Sequence, residues 1–165
     1  HPPLITYHFK NTDKLWRAAA DRVVRDFRRA LAASLDQHRA EDPKERMASL
    51  IRAYVRYAKS QPALHKVMVQ EASYPNPRLD WLIETHLKPF FGATFELIEE
   101  LQELGVAPQG DPRLLFNMIR LSSGGLLALG NELKASSGID VEDDATLDAI
   151  ADMIIKVFLP GETTR

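Results

Sequence analysis

The side chains most able to support chemistry are five histidines, a Ser-Ser-Gly-Gly segment and two pairs of adjacent acids. No two histidines stand at a spacing that would put two metal ligands on one helix face, and there is no HExxH motif. Residues Ser122 to Gly125 lack the GxSxG frame of a nucleophile turn and lie in an apolar segment. We therefore expect no catalytic residue, no metal site and no cofactor, and we predict that the protein is not an enzyme.

The acid pairs and the small residues have simpler interpretations. Glu99-Glu100 and Asp143-Asp144 are neighbours in sequence, so their carboxylates point to different parts of a helix surface and do not converge on one substrate. The small residues around Gly124 let a second helix approach closely, which is the role we expect for them.

Length and composition indicate a single folded domain with an appendage. The chain has 165 residues, of which 45% are hydrophobic, enough for one substantial core. It has no long apolar run, no secretory signal and no cysteine, so we expect a cytoplasmic protein that does not enter a membrane. The net charge of −2 argues against a nucleic-acid surface over the whole chain. A basic cluster between Lys10 and Arg39 forms either a local patch or ordinary solvated helix faces, and both interpretations stay open.

The elements that position these residues are predicted to be helices throughout, giving an all-α fold. Apolar residues recur at intervals of three and four, and no segment alternates as a strand would. A polar residue followed by proline marks four helix starts, because the side chain can cap free N–H groups while proline at the first position loses no backbone bond. These pairs are Asp42-Pro43, Gln61-Pro62, Asn76-Pro77 and Asp111-Pro112. The predicted helices span 11–36, 43–59, 62–73, 77–104, 112–136 and 144–159, with a kink or break at Pro89.

Aromatic and polarisable residues concentrate in the middle helices, although only 8% of the chain is aromatic. Pockets for small organic ligands have such an apolar lining with a few polar groups, and a helix broken at Pro89 would help to open a cavity. The candidate ligand-binding residues are Tyr54, Met68, Trp81, His86, Phe90 and Met118. Their alternative role, as ordinary core residues, stays open.

The stretch ITYHFKNTDKLW resembles the end of the helix-turn-helix in TetR-family transcriptional regulators. In that family a recognition helix finishes in a pattern like L-Y-Y-H-F, and a short turn and a long helix follow. Thr6 to Phe9 fall on the Y-Y-H-F positions, Asn11 on the cap and Leu15 on the first leucine of the next helix. The segment QPALHKVMVQEASYPNPRLDWLIETHLKPFF is also similar to effector domains of this family.

The resemblance implies a TetR-like helical effector domain preceded by a partial helix-turn-helix. Residues 1–38 would hold the end of the recognition helix and a linker helix, and residues 39–165 the effector-binding and dimerisation domain. Tyr7 and His8 would contact DNA phosphates, with Lys10 and Lys14 adding charge. The implied partners are operator DNA, bound by the full-length protein, and a small apolar or aromatic effector; the resemblance favours a repressor and leaves activation open. Because the first two helices of the motif are missing, we expect this chain alone to bind operator DNA poorly.

The resemblance also implies a homodimer in which the last two long helices of each subunit pack against their copies. The candidate interface residues are Leu121, Gly125, Leu129, Ile150, Ile154 and Phe158. Two alternatives stay open: both faces belong to the core of a monomer, or the chain is a helical protein–protein interaction module without a small-molecule ligand.

Overall fold

The computed structural model of the chain describes residues 2–38 and 42–163, with side chains from Asn11 onward. Every regular element in these ranges is helical, which confirms the predicted all-α fold. The helices are α1 (Pro2–Gln37), α2 (Pro43–Ser60), α3 (Pro62–Ala72), α4 (Pro77–Leu82), α5 (Lys88–Glu103), α6 (Pro112–Ala128), α7 (Gly130–Ser137) and α8 (Asp144–Phe158), with a π-helical turn at Ile83–Leu87 between α4 and α5.

The polar-proline pairs start helices as predicted. The side chains of Asp42, Asn76 and Asp111 each accept a hydrogen bond of 2.9 Å from a backbone N–H in the first turn of the following helix. Gln61 forms no such cap through its side chain. Each side-chain cap satisfies one N–H that the helix leaves unpaired, a contribution of about 1 kcal/mol. These starts therefore fix the beginnings of α2, α4 and α6 locally.

The first helix is longer than the sequence pattern predicts. α1 runs without a break from Pro2 to Gln37, so the predicted start at Asn11 is wrong. No glycine or proline stands between Leu4 and Gln37 to end a helix, and asparagine inside a helix costs less than about 1 kcal/mol relative to alanine. The two leading prolines occupy the first turn, where their missing N–H groups leave no helical hydrogen bond unmade.

Two of the later predicted helices are interrupted. In the π-helical turn, the Lys88 N–H donates to the Ile83 carbonyl, five residues earlier. The break predicted at Pro89 is confirmed, but it lies one turn before the proline, whose ring crowds the carbonyl of the preceding turn. The helix predicted over 112–136 divides at Leu129 into α6 and α7. Gly130 follows this break, and a Cβ there would lie 2.7 Å from Val141 Cγ2.

The core forms around α2, which packs against α1, α3, α5, α6 and α8. Its buried residues are Met47, Ala48, Leu50, Ile51, Val55 and Ala58. Phe27 and Leu31 of α1 join the same core. Burial of each large apolar side chain contributes roughly 1.5–3 kcal/mol, whereas an exposed pair such as Arg56 and Asp148 adds little. In the described ranges, no helix is long and apolar enough to cross a membrane.

Candidate ligand-binding site

A small cavity lies between α1, α2, α3, α5 and α6, and five aromatic rings contribute to its wall. The rings that line it are Phe27, Tyr54, Tyr57, Phe90 and Phe91. The Phe27 ring packs edge-on against Tyr54 at 5.2 Å and against Phe90 at 5.9 Å between ring centroids. Such edge-to-face contacts hold rings at fixed angles, so the wall has a defined shape.

The cavity is narrow in this conformation. The centre of a water molecule can move through only about 40 Å³ of it, which is room for a few waters and not for an organic ligand. Two clefts border it on either side of α3, of about 200 and 380 Å³. Met68 lines the cavity and both clefts. Because a methionine side chain is unbranched and flexible, a rotation of Met68 would join the three spaces.

The helix over the cavity is weakly anchored. No apolar side chain of α3 is buried; its buried residues are His65 and Glu71. The apolar residues of α3 that face the interior are only partly buried, Leu64, Val67 and Met68 among them. A helix that buries little apolar surface is stabilised little by the core, so α3 is the wall most able to move.

Five side chains of the cavity wall carry polar groups, and they are Arg120, Tyr54, Tyr57, Gln61 and His65. The Arg120 guanidinium lies 5.2 Å from the centre of the Phe91 ring. Burial raises the pKa of the Tyr54 hydroxyl, and Arg120 opposes that rise. Burial lowers the pKa of His65, and the positive charge of Arg120 lowers it further. At neutral pH the lining therefore includes one cation, one neutral imidazole, two phenols and one amide.

Gly124 of α6 makes room for two of these groups. A Cβ at this position would lie 2.8 Å from His65 Nδ1 and 2.8 Å from Tyr54 Cε1. At the neighbouring Gly125, the nearest atom to such a Cβ would be His65 Nε2, at 3.6 Å, an ordinary contact. The close approach expected around Gly124 is thus present, and it is made by side chains of α2 and α3. The Ser123 hydroxyl donates to the Ile119 carbonyl at 2.7 Å within its own helix, so it is held away from nucleophilic use.

The structure brings together three of the six predicted ligand-binding residues. Tyr54, Met68 and Phe90 line the cavity. Trp81 and His86 lie outside its lining, and Met118 is 47% exposed on the outer face of α6.

Trp81 and His86 instead hold α1 against α4 and the π-helical turn. His86 Nε2 lies 3.1 Å from Asp21 Oδ1, within ion-pair distance although the two atoms are not aligned for a hydrogen bond. Trp81 packs edge-on against His86 at 5.2 Å and against Trp16 of α1 at 6.2 Å. Arg17 of α1 lies over the Trp81 ring at 5.6 Å. Burial lowers the pKa of His86, and two α1 arginines lower it further while Asp21 opposes them.

The predicted interface residues divide between an open surface and the core. Leu121 of α6 is 50% exposed, and Leu129, just after the end of α6, is 55% exposed. Gly125 and Ile150 are partly exposed, whereas Ile154 is buried and Phe158 packs against the core. The exposed apolar side chains of these two packed helices are together called the α6–α8 face, and they are Leu114, Met118 and Leu121 of α6, Leu129 just after α6, and Met153 and Val157 of α8.

The predicted DNA contacts fall mostly outside the described side chains. Tyr7, His8 and Lys10 belong to the part of α1 of which only the backbone is described. Lys14 is exposed on α1. Within the described ranges, no three histidine, aspartate or glutamate side chains come together as metal ligands would.

Of the thirteen residues that line the cavity, ten were not among the predicted ligand-binding residues, Phe27 and Arg120 included. Phe27 lies in the segment interpreted as a linker helix, and nothing in the local pattern shows that it reaches the cavity. Arg120 could have been found, because it is the only charged residue between Arg113 and Glu132 in an otherwise apolar helix. A single charge there is exposed, paired or facing a cavity.

The chain matches no protein-family model, and no curated protein is significantly similar to it.

Proposed function

We propose that the chain is the sensing and dimerisation part of a ligand-responsive DNA-binding transcriptional regulator of the TetR type. The observation that carries this proposal is the cavity with five aromatic rings in its lining, which borders directly on α1. α1 is the helix that would lead to the DNA-binding residues. α1 is continuous back to Pro2, so its described backbone lacks the short turn that the resemblance implies between the recognition helix and the linker helix.

A ligand would act on α1 through the wall that α1 shares with the cavity. Phe27 and Val24 contribute to the lining directly. Leu87 also lines the cavity, and the neighbouring His86 contacts Asp21 of α1. A ligand that enters by displacing Met68 would push on Phe27 and Val24 of α1 directly, and on α1 through Leu87 and His86. The resulting change in the angle of α1 would alter the spacing of two DNA-binding segments in a dimer, which must match half-sites about one DNA turn apart.

The second subunit would cover the α6–α8 face. Exposed apolar side chains stand at positions 114, 118 and 121 of α6 and at position 129 just after it, with Gly125 between them, on the side opposite the buried residues of the helix. α8 packs beside α6 and adds Met153 and Val157. Exposed apolar surface on this scale marks an interaction site, and a two-helix face pairs readily with its own copy as a four-helix interface.

The test uses the full-length protein. Aromatic compounds that raise the melting temperature of the chain are identified first, and a DNA sequence is selected in vitro with the full-length protein. Fluorescence anisotropy then measures DNA affinity with and without each stabilising compound. We expect at least one compound to weaken DNA binding by about tenfold or more, a typical allosteric coupling. Equal affinity in the presence of every bound compound would refute a ligand-responsive regulator.

A second candidate function is supported by the surface between α3 and α6. Val69, Leu121 and Leu129 are exposed beside an open groove there. A helical protein–protein interaction module would use such a surface and would need no ligand in the narrow cavity. The two functions differ in one measurement, since only the regulator gains thermal stability from small aromatic compounds.

A further inference from the structure

The cavity wall carries a positive charge without a negative partner. Arg120 is partly buried, and its Nε and one terminal nitrogen both donate to the Asn117 side-chain oxygen, at 3.1 and 2.7 Å. Within the described residues, no carboxylate lies within ion-pair distance of Arg120. Most other arginines there differ in this respect, for example Arg46, Arg52, Arg56, Arg78 and Arg113.

The neutral neighbours do not use up the hydrogen-bonding capacity of Arg120. A guanidinium has five N–H donors in a planar fork; the amide of Asn117 accepts from two of its nitrogens, and the Tyr54 hydroxyl is its other neutral hydrogen-bonding neighbour. The guanidinium carbon also lies over the Phe91 ring, 5.2 Å from its centre, at a distance typical of a cation–π contact. Such a fork is suited to a carboxylate, which accepts two parallel hydrogen bonds from it.

Arg120 also stands at the boundary between the interior and solvent. It lines both the aromatic cavity and the open 380 Å³ cleft between α3 and α5. A ligand held there would have its charged end near the cleft and its apolar part among the rings of Phe27, Tyr54 and Phe90. This polarity is that of an amphipathic molecule with one anionic end.

We propose that the site binds an aromatic carboxylate whose carboxyl group pairs with Arg120 and whose ring enters the space opened by Met68. This inference rests on the proposed sensing function and specifies its ligand class. The charge of the ligand replaces the counter-ion that the protein does not provide. Because the pair forms in a partly dry site, it discriminates strongly against a neutral analogue of the same shape.

The experiment compares acids with their own primary amides. The probes are benzoate, phenylacetate, 4-phenylbutyrate, 1-naphthoate and indole-3-acetate, each paired with its amide, and affinities are measured by isothermal titration calorimetry at pH 7.5. The proteins are the unaltered chain, Arg120→Met and the control Arg113→Met. The control removes an exposed arginine of the same helix that already pairs with Asp111.

We expect at least one acid to bind the unaltered chain about tenfold or more tightly than its amide. Arg120→Met should bring the ratio of acid to amide affinity close to one by weakening the binding of the acid alone. Arg113→Met should leave this ratio unchanged. Equal binding of acids and amides to the unaltered chain would overturn this inference and leave the sensing function standing. Binding of neither class would overturn both. If circular dichroism shows that Arg120→Met does not fold, the ratio of acid to amide affinity in the unaltered chain decides whether the inference stands.

Discussion

The neighbouring glycines of α6 allow a matched test of how closely the cavity wall is packed. Replacing either glycine by alanine improves helix propensity by about 0.8–1 kcal/mol, and this gain is common to both variants. Gly124→Ala also places a methyl group 2.8 Å from ring atoms of His65 and Tyr54, whereas Gly125→Ala meets nothing closer than 3.6 Å. Overpacking of this kind typically costs about 1–3 kcal/mol. Both rings line the cavity, so a shift of either ring into that space would narrow the site, and the contact itself should destabilise the chain.

The assay is urea denaturation followed by circular dichroism, with a thermal melt alongside. We expect Gly124→Ala to be less stable than Gly125→Ala by about 1–3 kcal/mol, or roughly 2–12 °C in melting temperature for a domain of this size. Gly125 lies on the α6–α8 face, so both variants are measured at two protein concentrations tenfold apart to separate folding from dimerisation. Stabilities within about 0.5 kcal/mol of each other would refute the close contact of α6 with His65 and Tyr54.

Three further outcomes are expected. Met68→Ala should join the cavity to its clefts and let larger aromatic compounds stabilise the chain in thermal-shift measurements; an unchanged size preference would exclude Met68 as the divider. Because the pKa of His65 is lowered in the folded state, the unfolded state binds the proton more readily, and the free energy of unfolding should fall as pH drops below about 6.5. In urea titrations between pH 7 and 5, the free energy of unfolding should fall less steeply with decreasing pH in His65→Gln than in the unaltered chain. An equal pH dependence in both proteins would contradict a lowered pKa for His65. Leu121→Glu should convert a dimer into a monomer in light scattering, while Leu104→Glu, at an exposed leucine elsewhere, should not; two dimers would rule out the α6–α8 face as the interface.

Local chemistry explains which features of the fold were predictable. The caps of Asp42, Asn76 and Asp111 depend on groups within three residues of each other, so their positions can be read from short segments. The start of α1 was missed because Asn11 is a good cap only where a helix already begins. The division of α6 from α7 at Leu129 was missed because Gly130 packs against Val141, a residue outside the helix.

The candidate site was only partly predictable for a related reason. Tyr54, Met68 and Phe90 have the right chemistry for a ligand site, but Trp81 and His86 have it too, and they hold α1 to α4 and the π-helical turn instead. The residue type determines which interactions a side chain can make. The packing of helices that are distant in sequence determines which groups that side chain contacts. The same distinction separates Ile154, in the core, from Met153, on the open surface one position away.

By itself, the sequence determined the all-helical class, most helix starts and the absence of a recognisable catalytic motif, because each depends on residues close together in the chain. Only the tertiary structure decided that Arg120, Tyr54 and His65 share one cavity. They come from α6, α2 and α3, and the approach of these helices depends on the missing side chain of Gly124. The tertiary structure also decided that no carboxylate of the described residues pairs with Arg120 in this cavity. The charge balance of a partly buried site depends on every helix that packs around it.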